Sequence, residues 1–540
     1  MLPKRVIRRG EKENILKKEN PDITKAKGVF KPKKQETIAI IGGKNKRKEY
    51  VIKIIKKTLR SKKQCLILVP EIFHAFELSE QIRKIFPGEE ISLIHSKVAK
   101  GKIYRDWKKI KNNDIKIIIS TKVGVFLPFY GLGAVVAVEP QDVSHKQSEA
   151  MPRFNAVFAA EFLAKNHQAK MLFSGSILPI TNYPDSEGRQ PTVINFRKKI
   201  AEPKVEVVNL ALEKKKADFP ISEVLYQNLA RSINSKKQSI VLVNRKGLST
   251  FSKCQSCSQI LKCPKCKKAL VYFEEHEEYR CLHCSHKIDL LSSCPNCGGY
   301  QFSHYGIGIQ MVEKKLKNFF PSVVVSRLDS DVMKSSKKYK RIKDDFESGK
   351  ISILVGTQIA VRDITGKNLS LVGVAAVHDF FNLPDFGTRE AALSSLFQAK
   401  DLLDKDGTLV LQTFLPNDPV ISYLGSEDQE SFLENEMKFR KKMNYPPFKK
   451  IIKLVYRSDS KKNAVREAKK IFDDMMNGGD NNIEISEPYE SMSSGKRGLF
   501  LINILIKIPP DKNLADFSIF PIVRGLKKGW AVDIDPVSII

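Results

Sequence analysis

Short apolar runs rich in Ile, Val and Leu alternate along this chain with stretches of helical spacing. From Thr37 the order is a strand over Thr37–Ile41, a helix over Lys48–Leu59, a strand over Gln64–Pro70 and a helix over Phe73–Phe86. Strands over Ile91–His95, Ile115–Thr121, Ala134–Glu139 and Lys170–Ser174 follow. Strands without polar alternation are buried on both faces, which predicts a parallel sheet covered by helices. The order then repeats: Gln238–Asn244 echoes Gln64–Pro70, Ile351–Thr357 echoes Ile115–Thr121, Val372–Val377 echoes Ala134–Glu139, and Thr408–Phe414 adds a strand. The expectation is an α/β protein with two similar lobes in tandem, connected through Pro203–Val208. An amphipathic helix over 430–448 ends at Tyr445-Pro446-Pro447-Phe448, where two prolines stop it. Strands near Ile451–Tyr456, Leu499–Lys507 and Ala531–Ile534, with a helix over Lys461–Met476, predict a last small α/β unit.

Residues 1–36 lack this periodicity and carry Lys4, Arg5, Arg8, Arg9, Lys31, Lys33 and Lys34, a basic arm expected to be disordered when free. The domain reading is therefore arm 1–36, first lobe 37–200, linker and start of the second lobe 201–250, cysteine module 251–300, rest of the second lobe 301–429, and connecting helix with C-terminal domain 430–540. No apolar run reaches the roughly 18 residues of a membrane span. The N-terminus lacks the apolar segment of a secretory signal. Both observations point to a cytoplasmic protein with no membrane partner.

Charge adds a partner class. The net charge of +33 is mostly lysine spread along the chain, which suits phosphate contacts and non-specific nucleic-acid binding. An AT-rich genome would also inflate lysine, so the full excess is not a measure of binding.

Eight of the nine cysteines fall in four Cys-x-x-Cys pairs: Cys254/Cys257, Cys263/Cys266, Cys281/Cys284 and Cys294/Cys297. Two such turns close one tetrahedral Zn²⁺ site, so the set saturates two structural zincs. The short gap between the first two pairs favours a nested arrangement. Cys254, Cys257, Cys294 and Cys297 would hold one zinc, and Cys263, Cys266, Cys281 and Cys284 the other. Disulfides need an oxidising compartment, which does not fit. His276, His283 and His286 lie inside the module and are expected to be solvated, while Cys65 sits in an apolar strand and reads as core.

The two-lobe layout resembles superfamily 2 helicases, and the cysteine spacing is similar to that of the primosomal protein N′ (PriA) family. Leu68-Val69-Pro70-Glu71 resembles the family's LVPE. Ser120-Thr121 through Phe126, Pro128 and Phe129 resembles GTRSALFAPF. Lys146-Gln147 and Pro152-Arg153-Phe154 resemble YKQ and PRY, and Asn244-Arg245-Lys246-Gly247 resembles NRRG. Gly356-Thr357-Gln358, Asn382-Leu383-Pro384-Asp385-Phe386, Tyr445-Pro446-Pro447-Phe448 and Asp533-Ile534-Asp535-Pro536 follow in family order. The resemblance implies RecA-like lobes, branched or gapped DNA as ligand, and primosome proteins and single-stranded-DNA-binding protein as partners. Phe251, Lys253, Lys262, Lys265, Lys267, Lys268, Tyr272 and Tyr279 in the module, and Lys496, Arg497, Lys507, Lys527 and Lys528 near the C-terminus, are candidate DNA contacts. Tyr272 and Phe273 are better placed to pack the ribbon core.

The ATPase parts depart from the family. A phosphate loop needs G-x-x-x-x-G-K-[ST], whereas this chain reads Ile41-Gly42-Gly43-Lys44-Asn45-Lys46-Arg47-Lys48-Glu49. Arg47 stands near the place of the lysine, and Lys48 replaces the hydroxyl that binds Mg²⁺. Val138-Glu139-Pro140-Gln141 replaces Asp-Glu-Glu-His, so the Mg²⁺ ligand is Val138 and Glu139 reads as a strand-end acid. Leu178 replaces the threonine of GSATP, and Leu402 and Lys405 replace the arginine fingers of QVAGRAGR. Near Arg362-Asp363 the family's KGHDF is also lost. The expectation is a DNA-binding restart scaffold without ATP hydrolysis or helicase activity, its basic Lys44–Lys48 loop open to weak nucleotide binding, to contact with DNA phosphates, or to a role as a solvated turn. The rivals are an active 3′–5′ helicase with atypical motifs and a zinc-ribbon interaction protein without DNA function. The family's N-terminal DNA-binding region has no counterpart in the basic arm, which puts recognition of a nascent DNA end in doubt.

Overall fold

The computed structural model describes residues 37–540 apart from 149, 152, 183–190, 197–202, 214–219, 244–250, 258, 260, 265–269, 274–276, 282–285, 306–307, 330–331, 333–334, 365–367, 381–384, 427–428, 479, 481 and 492–497. The basic arm, Asn244–Gly247, Asn382–Pro384 and Lys496–Arg497 lie outside the described residues.

The first lobe runs β1 (Thr37–Ile41), α1 (Lys44–Arg60), β2 (Gln64–Leu68), α2 (Ile72–Ile85), β3 (Ile91–Ile94), α3 (Lys100–Lys111), β4 (Ile117–Ser120), β5 (Leu132–Val138), α4 (Ala156–Asn166), β6 (Lys170–Gly175) and β7 (Thr192–Asn195). Its strands form one parallel sheet in the order β3-β4-β2-β5-β6-β1-β7. Strand period two sends Leu66, Ile118 and Val135 into one core and Ile67, Ile119 and Val136 into another. Both faces are dry, which is why these strands read as unbroken apolar runs. Cys65 is fully buried in β2, and burial pushes its thiol up to about 12.

The second lobe starts with β8 (Lys204–Asn209), α5 (Glu223–Asn234) and β9 (Gln238–Leu242). The cysteine module follows as β10 (Phe251–Cys254), β11 (Leu270–Phe273), β12 (Glu278–Cys281), β13 (Lys287–Asp289) and β14 (Phe302–Tyr305). The lobe resumes with α6 (Ile309–Phe319), β15 (Val325–Leu328), α7 (Ser336–Glu347), β16 (Ile353–Gly356), α8 (Gln358–Asp363), β17 (Leu369–Val374), α9 (Thr388–Leu402) and β18 (Thr408–Thr413). Its sheet is parallel in the order β15-β16-β9-β17-β18-β8. Residues 204–209 are thus the sheet's edge strand, paired with β18 from Lys204↔Thr408 to Asn209↔Thr413, and not simply a connector. Two RecA-like α/β lobes in tandem are the result.

Helices α10 (Pro419–Ser426) and α11 (Gln429–Lys442) lead to the last domain. It contains β19 (Lys450–Ser458), α12 (Lys461–Met476), β20 (Glu484–Ile485), β21 (Tyr489–Glu490), β22 (Phe500–Ile508), α13 (Phe520–Arg524) and β23 (Trp530–Ile534). Its sheet is antiparallel, with β22 and β19 at the centre. Among the described residues no helix is long and apolar enough to cross a membrane.

Candidate metal centre and interlobe cleft

The insertion closes on itself through β10 and β14, which pair antiparallel from Phe251↔Tyr305 to Cys254↔Phe302. Cys254 ends β10, and the turn after it carries Cys257. Cys294 and Cys297 sit on the approach to β14. The four Sγ atoms lie within 4.8 Å of one another. Cys254 Sγ is 3.6 Å from Cys297 Sγ, and Cys257 Sγ is 3.8 Å from Cys294 Sγ. A tetrahedral Zn²⁺ with Zn–S bonds of about 2.3 Å sets sulfurs about 3.8 Å apart. The donor set therefore fits a metal ion of that size, and the thiols are not disulfide-bonded.

Glycine shapes the second turn. Gly298 has φ +75°, and a Cβ at Gly299 would lie 2.5 Å from Ser256 Oγ and 3.3 Å from Cys254 Sγ. The amide of Gly298 donates to Cys294 O at 2.9 Å, and the amide of Cys294 donates to Gly299 O at 2.8 Å. The thiols do not ionise alike. The Cys257 amide, and then that of Ser256, draw Cys254 down to about 6. The Gly299 amide favours the Cys297 thiolate, yet contact with the other cysteines drives that thiol up to about 12. Four sulfurs this close ionise together only with a cation among them.

Of the expected inner set, Cys263 is buried beside Leu261, Leu270 and Tyr279. Cys281 pairs with Leu270 across the β11–β12 ladder. Cys266, Cys284 and the Cys281 side chain lie outside the described residues, as do Lys265, Lys267, Lys268, His276 and His283 and the Phe251, Lys253 and Phe273 side chains. Tyr279 is buried, with Tyr272 against it at a ring separation of 5.4 Å, so both aromatics build the ribbon core.

The remaining site lies where β1, β5 and β6 end, facing α9. Gly42 (φ +78°) and Gly43 (φ +34°) turn the chain from β1 into α1. Lys44–Lys48 is the first turn of that helix, not a loop. Arg47 folds back over the turn, and its Nε donates to Gly42 O at 2.9 Å. Its Nη1 donates to Glu139 Oε1 at 2.6 Å, and its Nη2 lies 3.5 Å from Asp401 Oδ2 on α9. Glu139 also accepts from Gln141 Nε2 at 2.6 Å and from the Ser176 amide at 3.0 Å. Gln141 Nε2 reaches Ser394 Oγ at 3.1 Å, and Gln398 Nε2 lies 3.4 Å from Glu139 Oε2. Glu139 is thus a half-buried ion-pair acceptor and not a bare strand-end acid.

Burial alone would raise the Glu139 carboxyl, but Arg47 and the surrounding donors win and hold it down at about 2. A depressed carboxyl stabilises the fold above its unfolded value of 4.5, and that contribution is lost as pH falls from there toward 2. Glu139→Gln should remove this acid limb. Urea unfolding between pH 5 and pH 2 checks it, and a variant as acid-sensitive as the wild type refutes it.

The structure also brings together motifs distant in sequence. Lys146, buried on the first lobe, pairs with Asp533 Oδ1 at 2.9 Å and donates to Ile534 O. Arg153 Nη1 lies 3.5 Å from Asp533 Oδ2. Arg362 reaches Glu71 Oε1 at 2.5 Å and Asp142 Oδ2 at 3.2 Å across the lobes. Local pattern carried no signal for these pairings.

With this geometry in place, sequence comparison decides the family. The replication restart protein PriA of Borreliella burgdorferi is 31% identical over 79% of this chain and 64% of its own length. That of Bacillus subtilis is 26% identical over 74% of this chain and 50% of its own. That of Rickettsia conorii is 28% identical over 91% of this chain and 76% of its own. The chain belongs to the PriA family. It spans less than two-thirds of the length of the first two of these PriA relatives. No family model matches it.

Proposed function

We propose that the chain is a DNA-binding scaffold for replication restart that does not hydrolyse ATP. Membership of the PriA family supports the DNA and restart part of the reading. The observation that carries the rest is the Arg47 guanidinium, held on Gly42 O and Glu139 at the turn where a phosphate loop would cradle a nucleotide. The carboxylate that would polarise water is already engaged by a cation, and the Val138 side chain offers no oxygen to Mg²⁺. Forked or gapped DNA is the ligand, gripped mainly through phosphates. Exposed aromatic rings such as Phe126 and Tyr130 on the first lobe suit base stacking. Primosome proteins and single-stranded-DNA-binding protein are the protein partners, in the cytoplasm. Zinc occupies the Cys254–Cys257–Cys294–Cys297 cluster, and a second zinc is held by Cys263, Cys266, Cys281 and Cys284.

The test is one preparation in two assays. Purified protein should show no ATP turnover above background with or without forked DNA. It should bind the fork with an affinity that falls steeply with salt, since phosphate neutralisation releases counterions. DNA-stimulated turnover would overturn the loss of the motor, and salt-independent or absent fork binding would overturn the DNA reading.

A further inference from the structure

Two-lobe nucleotide enzymes close around their ligand, which supplies the contacts that hold the lobes together. Here the contacts are made by the chain itself. The first lobe contributes Arg47, Glu139 and Gln141, and the second contributes Asp401, Ser394 and Gln398, all from α9. Arg47 is the pivot, since it touches its own turn, the end of β5 and the opposite lobe at once. The side chains of Arg47, Glu139 and Asp401 are 6%, 17% and 9% exposed, so the cluster is sheltered from water.

Further cross-lobe contacts flank it. On one side Arg362 holds Glu71 and Asp142, and Lys343 Nζ stands 3.8 Å from the Phe73 ring centroid. Elsewhere the Ile180 amide donates to Glu390 Oε1 at 3.0 Å. Each is a modest contact alone. Together they act intramolecularly, so forming one raises the effective concentration of the next.

We propose that the Arg47–Glu139–Asp401 cluster is a clasp that keeps the two lobes closed in the place of a nucleotide, making closure a permanent property of the chain. The proposal rests on the reading that the cleft no longer turns over ATP, but it is tested without nucleotide turnover or DNA. Its physical basis is charge burial. The guanidinium brings two carboxylates from different lobes to one point, and separating the lobes breaks the Arg47–Asp401 pair. Removing Arg47 leaves the carboxylates of both lobes without their shared cation, and removing Asp401 deletes the second lobe's ionic hold on Arg47, which stays paired with Glu139. A ligand shifts such an equilibrium only through differential affinity for its two states. With Arg47 on the phosphate turn, Mg·ATP has none to offer.

The experiment places one spin label at Lys108 on the first lobe and one at Lys338 on the second, in the full chain, by a bio-orthogonal amino acid that spares the cysteines. Pulsed dipolar spectroscopy reads the interlobe distance. The wild type should give one narrow distribution, unchanged by Mg·ATP. Arg47→Ala and Asp401→Ala should each add a longer-distance population and lower the closed fraction at least tenfold. If Arg47→Ala fails to fold by circular dichroism, Asp401→Asn decides, because it keeps the side-chain shape and removes only the charge facing Arg47. Distributions unchanged in the folded variants overturn the clasp, as does a wild type that is broad or that narrows on adding Mg·ATP. Fork binding is measured separately, so failure of the DNA reading leaves this result intact.

Discussion

Cys257→Ser should unfold the module between β10 and β14 while both lobes stay folded. The outer cysteine set sits at the base of the insertion, where its two strands leave and rejoin the second lobe. The buried core above it is small: Leu261, Cys263, Leu270 and Tyr279 are its fully sheltered members among the described residues. A module of this size cannot bury enough apolar surface to offset its chain entropy, and the zinc proposed for the outer cysteines would supply the difference. Structural zinc contributes about 10–16 kcal/mol of apparent binding free energy in small zinc modules at neutral pH. Serine keeps the shape of Cys257 but supplies no thiolate, and the sulfurs of Cys254, Cys294 and Cys297 are left without their fourth partner. Hydrogen exchange should then be fast across β10 to β14 and unchanged in β2, β4 and β9. Zinc content by mass spectrometry should fall in step. Full metal content with a protected β10–β14 pair would refute the assignment. A chelator in excess should reproduce the effect in the wild type, and added zinc should reverse it.

How much of this was legible in the sequence depends on distance along the chain. Central strands declare themselves, because burial on both faces leaves runs such as Ile117–Ile119 and Val135–Ala137 with no polar position. Edge strands do not. In β8, Lys204 and Val207 are exposed and Glu206 is half-buried, so a strand pairing along its whole length with β18 reads as a polar linker. β7 is missed for the same reason, with Thr192 and Val193 exposed at the far edge of the first sheet. The outer cysteine set is legible because ligand spacing is local chemistry and the gaps between pairs set the first pair against the last. Arg47 is the opposite case. A lysine- and arginine-rich turn reads as solvated, whereas the carboxylate that buries it lies 92 residues away. Its other acidic partner is on the second lobe. Only the fold brings those three charges together, and the broken phosphate loop was the one hint that something else would fill the place.

Arg440→Met should cost about 3–5 kcal/mol of stability, the range for removing one partner of a buried ion pair. The Arg440 side chain is 1% exposed and ties three segments. Its Nε bonds Glu436 Oε1 at 3.1 Å, one turn back on α11. Its Nη2 bonds Glu390 Oε2 of α9 at 2.8 Å and Phe386 O at 3.2 Å. Its Nη1 reaches Pro446 O at 3.3 Å, in the turn that leads to the C-terminal domain. Methionine fills the volume but leaves Glu436 and Glu390 acting on each other without the cation that bonds both, Arg389 being the remaining positive charge that acts on Glu436. Burial already raises the Glu436 carboxyl above its ordinary value despite the opposing pull of Arg440. Without Arg440 it should rise further, so protonation relieves the repulsion. A carboxyl raised in the folded state favours folding as pH falls, and the cost of Arg440→Met should therefore be smaller at pH 5 than at pH 8. Arg440→Lys restores the charge but not the fork that reaches four acceptors, so it should recover only part of the loss. Urea unfolding of the three proteins at both pH values decides the matter. An equal cost at the two pH values would mean that the arginine acts by packing alone. In that case the junction between the second lobe and the C-terminal domain would be held by the Phe386 and Tyr445 rings, 5.5 Å apart, and not by charge.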